Sequence, residues 1–254
     1  MSKKQEYPSI QYDRFLPVAK SNDLILHSRY SLSAQQQKIV LYLISKIKPE
    51  DSEFDLYNFD IGEFCKICGI TDAGKNYKLI REQIKKITDQ SIWVTLPDGT
   101  TTVLRWIEKP FINEKTNEIK IRLDKEMKPY LLQLKDNFTS YSYAHTLSFK
   151  SGYSIRLYEY LKAKHYYSGE PYTFSVSIDD LKARLDAEGY VFAQFHQKVL
   201  APAVKELNKM GDEKVSYCLK KEGRNVVAVE FTCKLKPEQE QLETWMRIEE
   251  RLGE

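Results

Sequence analysis

Apolar positions along the chain follow a helical period, then a strand period, and this order is written twice. Ile39, Leu41, Leu43, Ile44 and Ile47 carry a helix over residues 33–48, with Ser33 placed as its N-cap. A short strand is expected over 54–59 and a short helix over 61–68. The turn Gly69-Ile-Thr-Asp-Ala-Gly74 leads to a longer helix over 75–88, with Ile80, Ile84 and Ile87 on its buried face. Strands over 91–96 and 101–106 flank Pro97-Asp98-Gly99, where Pro presets φ and Gly supplies a positive φ. One more strand, 118–123, follows the polar turn 113–117.

The order recurs about 116 residues later. Ile155-Arg-Leu-Tyr158, in a helix over 153–165, echoes Ile39-Val-Leu-Tyr42. Tyr172-Thr-Phe174 echoes Tyr57-Asn-Phe59 as a strand, and Ile178-Asp-Asp-Leu181 echoes Ile61-Gly-Glu-Phe64 as a short helix. A long helix over 193–210 precedes strands at 214–219 and 225–234. Helix, strand, helix, longer helix and β-hairpin is the order of a winged helix. The expected fold is therefore α+β, two tandem winged-helix domains. Periodicity lapses near 133–142, which places an N-terminal domain at 1–135, a C-terminal domain at 136–236 and an acidic tail at 237–254.

Composition narrows the class. With 42% hydrophobic and 30% charged residues over 254 positions, the chain is long enough to bury a real core. The longest apolar run, 39–44, is far short of the ~20 residues that cross a bilayer. The N-terminus has no apolar stretch behind its lysines and does not read as a signal peptide, so a cytoplasmic protein without membrane contact is expected. The net charge of +3 hides an asymmetry: the tail holds six Glu against two Arg, leaving the rest at +7. A basic body suits a polyanionic partner.

Catalytic chemistry finds little support. Cys65 and Cys68 form a C-x-x-C, but no second close pair or following His completes a zinc site. At i and i+3 on an apolar helix face they read as core residues. Gly69-Ile-Thr-Asp-Ala-Gly74-Lys75-Asn76 approaches a phosphate-binding loop, yet it follows a helix and has Asn76 where a hydroxyl should hold Mg²⁺. His27, His145, His165 and His196 are scattered, with no pair to hold a metal beside a nucleophilic tyrosine. Asp179-Asp180 suits a helix start. No enzyme activity, cofactor or metal is expected.

The longer helices have readable outer faces. With Phe195, Val199, Ala203 and Leu207 inward, Gln194, Gln197, Lys198, Ala201 and Lys205 share the other side. Gln pairs bidentately with adenine, Lys reaches guanine and Ala meets a thymine methyl, as a helix in a major groove requires. Lys75, Asn76, Lys78, Arg81, Glu82 and Lys85 occupy the comparable face of the first copy. Lys220, Lys221 and Arg224 at the second hairpin tip suit phosphates, which position the protein without reading sequence. Pro202 interrupts the second long helix, which must kink there or divide in two.

Over roughly residues 20–236 the chain resembles the iteron-binding replication initiators of theta-replicating plasmids. The resemblance rests on Leu32-Ser-Ala-Gln-Gln-Gln-Lys-Ile-Val-Leu-Tyr-Leu43, Ser154-Ile-Arg-Leu-Tyr-Glu-Tyr-Leu161, Phe195-His-Gln-Lys-Val-Leu200, Val204-Lys-Glu-Leu-Asn208, Val215-Ser-Tyr217 and Lys220-Lys-Glu-Gly-Arg224. It implies two winged-helix domains on direct repeats in a plasmid origin, with the C-terminal domain making the main sequence-specific contacts. It also implies an N-terminal domain that binds DNA and dimerises, and monomers that open the origin and recruit a host replication initiator and helicase. Dimers in that family repress the initiator's own promoter. By position, base contacts fall on His196, Gln197 and Lys198, and wing contacts on Lys220, Lys221 and Arg224. Members are richer in arginine at 196–198 and Pro202 departs from their pattern, so base preference does not carry over. The rival readings are a double winged-helix transcriptional repressor, a nucleotide hydrolase or tyrosine nickase, and a protein-interaction module.

Overall fold

Four short elements open the described chain, which covers residues 10–70, 74–165 and 171–253 of a computed structural model. They are α1 (Ile10–Phe15), β1 (Pro17–Ser21), α2 (Asn22–His27) and β2 (Ser28–Arg29). Helix α3 (Ala34–Ser45) begins where the sequence placed it. Ser33 Oγ accepts from the Gln36 amide, and the Gln36 side chain accepts from the Ser33 N–H. This reciprocal box satisfies two otherwise orphaned donors. Next come β3 (Tyr57–Asp60), α4 (Ile61–Ile67) and α5 (Gly74–Thr88). Gly69, at φ +61°, stops α4. Residues 71–73 of the loop-like motif, and residues 1–9 read for a signal peptide, lie outside the described residues.

The hairpin β4 (Ser91–Thr95) and β5 (Thr101–Arg105) turns at Gly99, φ +86°. After β6 (Phe111–Ile112), β7 (Glu118–Ile121) and α6 (Lys128–Leu131) comes β8 (Phe138–Ser142), then α7 (Tyr143–Ser148) and α8 (Gly152–His165). The second copy continues with β9 (Tyr172–Ser177), α9 (Ile178–Arg184), α10 (Phe192–Phe195) and α11 (Ala201–Met210). The hairpin β10 (Glu213–Glu222) and β11 (Asn225–Leu235) and a last helix, α12 (Glu238–Leu252), complete it.

The two copies agree in element order and differ in strand pairing. In the second, β9 joins the hairpin in one sheet, β10-β11-β9. In the first, the extra hairpin β6–β7 takes β3 for itself, and β2 completes the β4–β5 sheet. An inserted strand with a free edge captures the partner that the hairpin would otherwise have.

The segment expected as an irregular boundary is ordered. Gln133 and Asn137 adopt left-handed backbone, which breaks the apolar period, and β8 then pairs antiparallel with β1. A division after residue 135 would separate the two strands of that sheet. Helix α8 lies at the centre with Ile155, Leu157, Tyr158 and Leu161 buried, and it also buries Arg156 and Glu159. Glu159 pairs with Lys20 of β1 at 2.5 Å and accepts from the Tyr141 hydroxyl. Removing one partner of so dry a pair would cost about 3–5 kcal/mol, because the other charge would stay buried alone.

The acidic tail covers the body. Helix α12 buries Thr244, Ile248 and Leu252, and Trp245 packs at a tilt against His145 at 4.5 Å and meets Phe15 at 5.6 Å. Arg14 donates to the Leu252 carbonyl at 3.0 Å, and Arg251 pairs with Glu206 of α11 at 3.6 Å. The tail thus straps both copies together. Among the described residues no helix is long and apolar enough to cross a membrane.

Candidate nucleic-acid interface

Residues 192–210 stay helical through Pro202. The His196–Leu200 turn widens to π geometry, with the Ala201 amide donating to the His196 carbonyl. That wider ring accommodates the proline, which offers no N–H and would clash with the carbonyl four residues back. Of the two expected outcomes, a kink or two pieces, the second is the nearer: a fresh α-helical segment begins at Ala201 with Pro202 in its first turn, joined to α10 by the π turn. A strict i+4 stripe drifts about 40° per step on an α-helix. The wide turn takes back part of that drift, so Phe195, Val199, Ala203 and Leu207 are all buried.

The opposite side stands as the sequence indicated. Gln194, Gln197, Lys198 and Lys205 are exposed and Ala201 is half-buried. His196, expected as a base-contacting group, has a protein partner as well. It is half-buried, and its Nε2 lies 2.9 Å from the Tyr217 hydroxyl of β10. It braces the long helix against the hairpin and so fixes the distance between the two.

The wing tip turns at Gly223, φ +61°, with Lys221 and Arg224 exposed. A bulge between Lys220 and Lys221 breaks the strict alternation of faces there. Lys220 pairs with Glu230 across the hairpin at 2.9 Å, and this holds its ammonium above the usual lysine range. Of the three expected wing cations, two stand without a carboxylate partner among the described residues.

In the first copy α5 buries Ile80, Ile84 and Ile87 and exposes Lys75 and Lys78. Asn76 is half-buried at the helix start. Arg81 donates to Asn117 Oδ1 at 2.5 Å, and Lys85 pairs with Glu114 at 3.2 Å. Both are turned toward the loop joining β6 and β7, which is why the first face carries fewer free cations than its sequence suggests.

A model described as "Initiator Replication protein, WH1" matches residues 17–162, and one described as "Initiator Rep protein, WH2" matches 177–233. The chain belongs to the initiator Rep protein family. A relative from Escherichia coli, "Replication initiation protein", is 24% identical over 208 residues, covering 79% of this chain. The chain spans 64% of that relative's length. Among solved structures the fold is similar to the Pi initiator protein, whose crystal structure is in complex with iteron DNA. The TM-score is 0.73 at 18% identity, covering 89% of this chain and 99% of that one. The Rep-family fold is thus two winged helices in tandem, as the repeated pattern predicted.

Other candidate groups of this Rep-family chain are engaged in packing. Cys65 is buried, and burial pushes the Cys68 thiol up to about 12, unsuited to a thiolate nucleophile. Gly69 meets the Leu252 backbone: a Cβ there would sit 2.8 Å from its carbonyl oxygen. His145 Nδ1 lies 2.8 Å from the Met210 carbonyl. Sequence reasoning missed the groups that tie α8 and the loop before it to α11 and β10. Lys162 pairs with Asp212 at 2.9 Å and Glu213 at 3.4 Å, and Glu206 accepts from the Lys150 and Ser151 amides. A buried-side Lys or Glu has the same local signature as a solvated one, so only packing reveals them.

Proposed function

We propose that the chain is a sequence-specific DNA-binding initiator of plasmid replication that binds direct repeats at the origin and helps open it. The observation that carries this reading is the exposed face of Gln194, Gln197 and Lys198, braced through His196 to a wing bearing Lys221 and Arg224, in a Rep-family chain. Lys75 and Lys78 repeat it in reduced form. The chemistry is binding energy alone, without catalysis: several copies on adjacent repeats strain nearby A·T-rich duplex. Host replication initiator and helicase are the partners that then act, in the cytoplasm.

The binding units follow the strand pairing, the first running through α8 and the second from β9 to β11, in place of a division at residue 135. A monomer–dimer equilibrium uses the β2-β4-β5 sheet, whose edge strand β5 is unpaired on one side and whose Trp93 and Val103 are about half exposed.

The test is selection of bound duplexes from a random pool at near-physiological salt, followed by permanganate probing of a supercoiled plasmid carrying the selected site in tandem. Enrichment of a long site with two half-patterns, and reactive thymines beside the repeats, are expected. No enriched sequence would refute DNA recognition. Enrichment without opening, together with a plasmid that replicates after loss of the gene, would leave the repressor reading.

A further inference from the structure

Between the two recognition helices lies a polar cleft of about 300 Å³, lined by Ser31, Ser33, Gln37, Gly152, Arg156 and Asp186 among others. Ser33 Oγ is 3.4 Å from Gln83 of α5. On the other side the Tyr153 hydroxyl hydrogen-bonds Tyr190, and Lys198 sits 5.9 Å from the Tyr190 ring. The cleft therefore lies beside α5 on one side and, through Tyr153 and Tyr190, near Lys198 of the second long helix on the other.

Its chemistry is that of an anion site. Arg156 is only 8% exposed, and among the described residues it has no carboxylate within ion-pair distance. Its Nη1 donates to the Tyr30 carbonyl and its Cζ stacks 4.0 Å from the Tyr30 ring centre. A buried cation without a counter-charge is costly. The N-terminus of α3 adds to it, because the Ala34 and Gln35 amides have no acceptor among the described residues. The α8 N-terminus closes in as well: a Cβ on Gly152 would lie 2.7 Å from Gln37 Nε2 and 3.3 Å from the Ala34 nitrogen. Gln37, 3% exposed, leaves its Oε1 without a partner, as a bridging water would satisfy. Three carboxylates stand nearby. Glu159, one turn along α8, lines a small cavity together with Arg156 but is paired with Lys20. Glu206 is already held by the Lys150 and Ser151 amides and by Arg251, and Asp186 is exposed and helps line the cleft.

We infer that this cleft seats a backbone phosphate of the DNA between the two major-groove contacts, held by Arg156 and the α3 amides. The inference rests on the DNA-binding reading above and adds to it a contact that belongs to neither recognition helix. It sets the register of one winged helix against the other on the duplex.

The test is a methylphosphonate scan of the selected duplex against wild type, Arg156→Gln and Ser33→Asp. Asp caps a helix as well as Ser, so Ser33→Asp keeps the fold while placing a negative charge in the cleft. In wild type, one neutral linkage between the two half-patterns should weaken binding about tenfold at 0.1 M salt, the value of one phosphate contact. That position should become silent in Arg156→Gln. Ser33→Asp should lose about tenfold in affinity with unchanged base preference and an unchanged or higher melting temperature. If Arg156→Gln fails to fold, Ser33→Asp decides alone. Wild-type affinity in Ser33→Asp, or an unchanged scan in Arg156→Gln, would overturn the assignment. Thermal protection of wild type but not Arg156→Gln by inorganic phosphate, with the scan unchanged, would assign the cleft to free phosphate instead. A wild-type chain that selects no DNA sequence removes the underlying reading as well, and is distinguished by the selection itself.

Discussion

The charge partners seen in the structure make the salt dependence of DNA binding a quantitative test. Lys75, Lys78, Lys198, Lys205, Lys221 and Arg224 are exposed on the two recognition faces and the wing and have no carboxylate partner among the described residues. Lys85 and Lys220, by contrast, are paired with Glu114 and Glu230. If each free cation neutralises one phosphate, the log–log slope of affinity against salt is about −5, and nearer −6 with Arg156. Affinity should then fall about 10³-fold between 50 and 200 mM salt. Lys198→Ala should flatten the slope by about 0.9 and weaken binding roughly eightfold at 0.1 M. Lys85→Ala should leave the slope nearly unchanged, because that charge is already spent on Glu114. Fluorescence anisotropy on the selected duplex across a KCl series measures both. A wild-type slope shallower than about −2, or equal flattening by the two substitutions, would show that the observed pairings do not govern binding.

Three further outcomes follow from the packing. Burial holds the His145 imidazole below its usual range, despite the opposing pull of Asp212, so the unfolded chain takes up that proton first. Stability is therefore full above about pH 6.5 and lost as pH falls through the lowered folded value; urea midpoints at pH 7.5 and 5.5 should differ, and His145→Gln should narrow the gap. Gly69→Ala meets both φ +61° and the Leu252 carbonyl, so it should cost more than about 1 kcal/mol in a thermal melt and speed hydrogen exchange across α12. Closing the wide turn would rotate Phe195 and Val199 out of the buried stripe they share with Ala203 and Leu207, so Pro202→Ala should keep the turn and the selected DNA site unchanged, with the melting temperature held or raised by the restored backbone donor. A changed site with a lower melting temperature would show that the proline, not the packing, holds the π turn open.

Much of the candidate interface was legible because it is written locally. The Ser33 cap, the Ile80–Ile84–Ile87 face and the exposed Gln194–Lys198 side each depend on residues within a few turns of one another. The roles of Arg81, Lys85 and His196 were not legible. Arg81 and Lys85 are claimed by a loop some thirty residues away, and His196 by a tyrosine on the wing. Nothing in a helical wheel distinguishes a cation facing DNA from one facing a neighbouring loop.

The order of elements, the doubled winged-helix plan and the exposed polar faces of the two longer helices came from the sequence by itself, because periodicity and capping are short-range properties. Strand partners, the union of β1 with β8, and the docking of the acidic helix α12 across both copies were decided only by the tertiary structure. These depend on which edge or apolar stripe is left open once the chain has collapsed. The same holds for Arg156, an unremarkable helix residue in the sequence. Burial without an ion pair among the described residues is what marks it as a candidate anion contact.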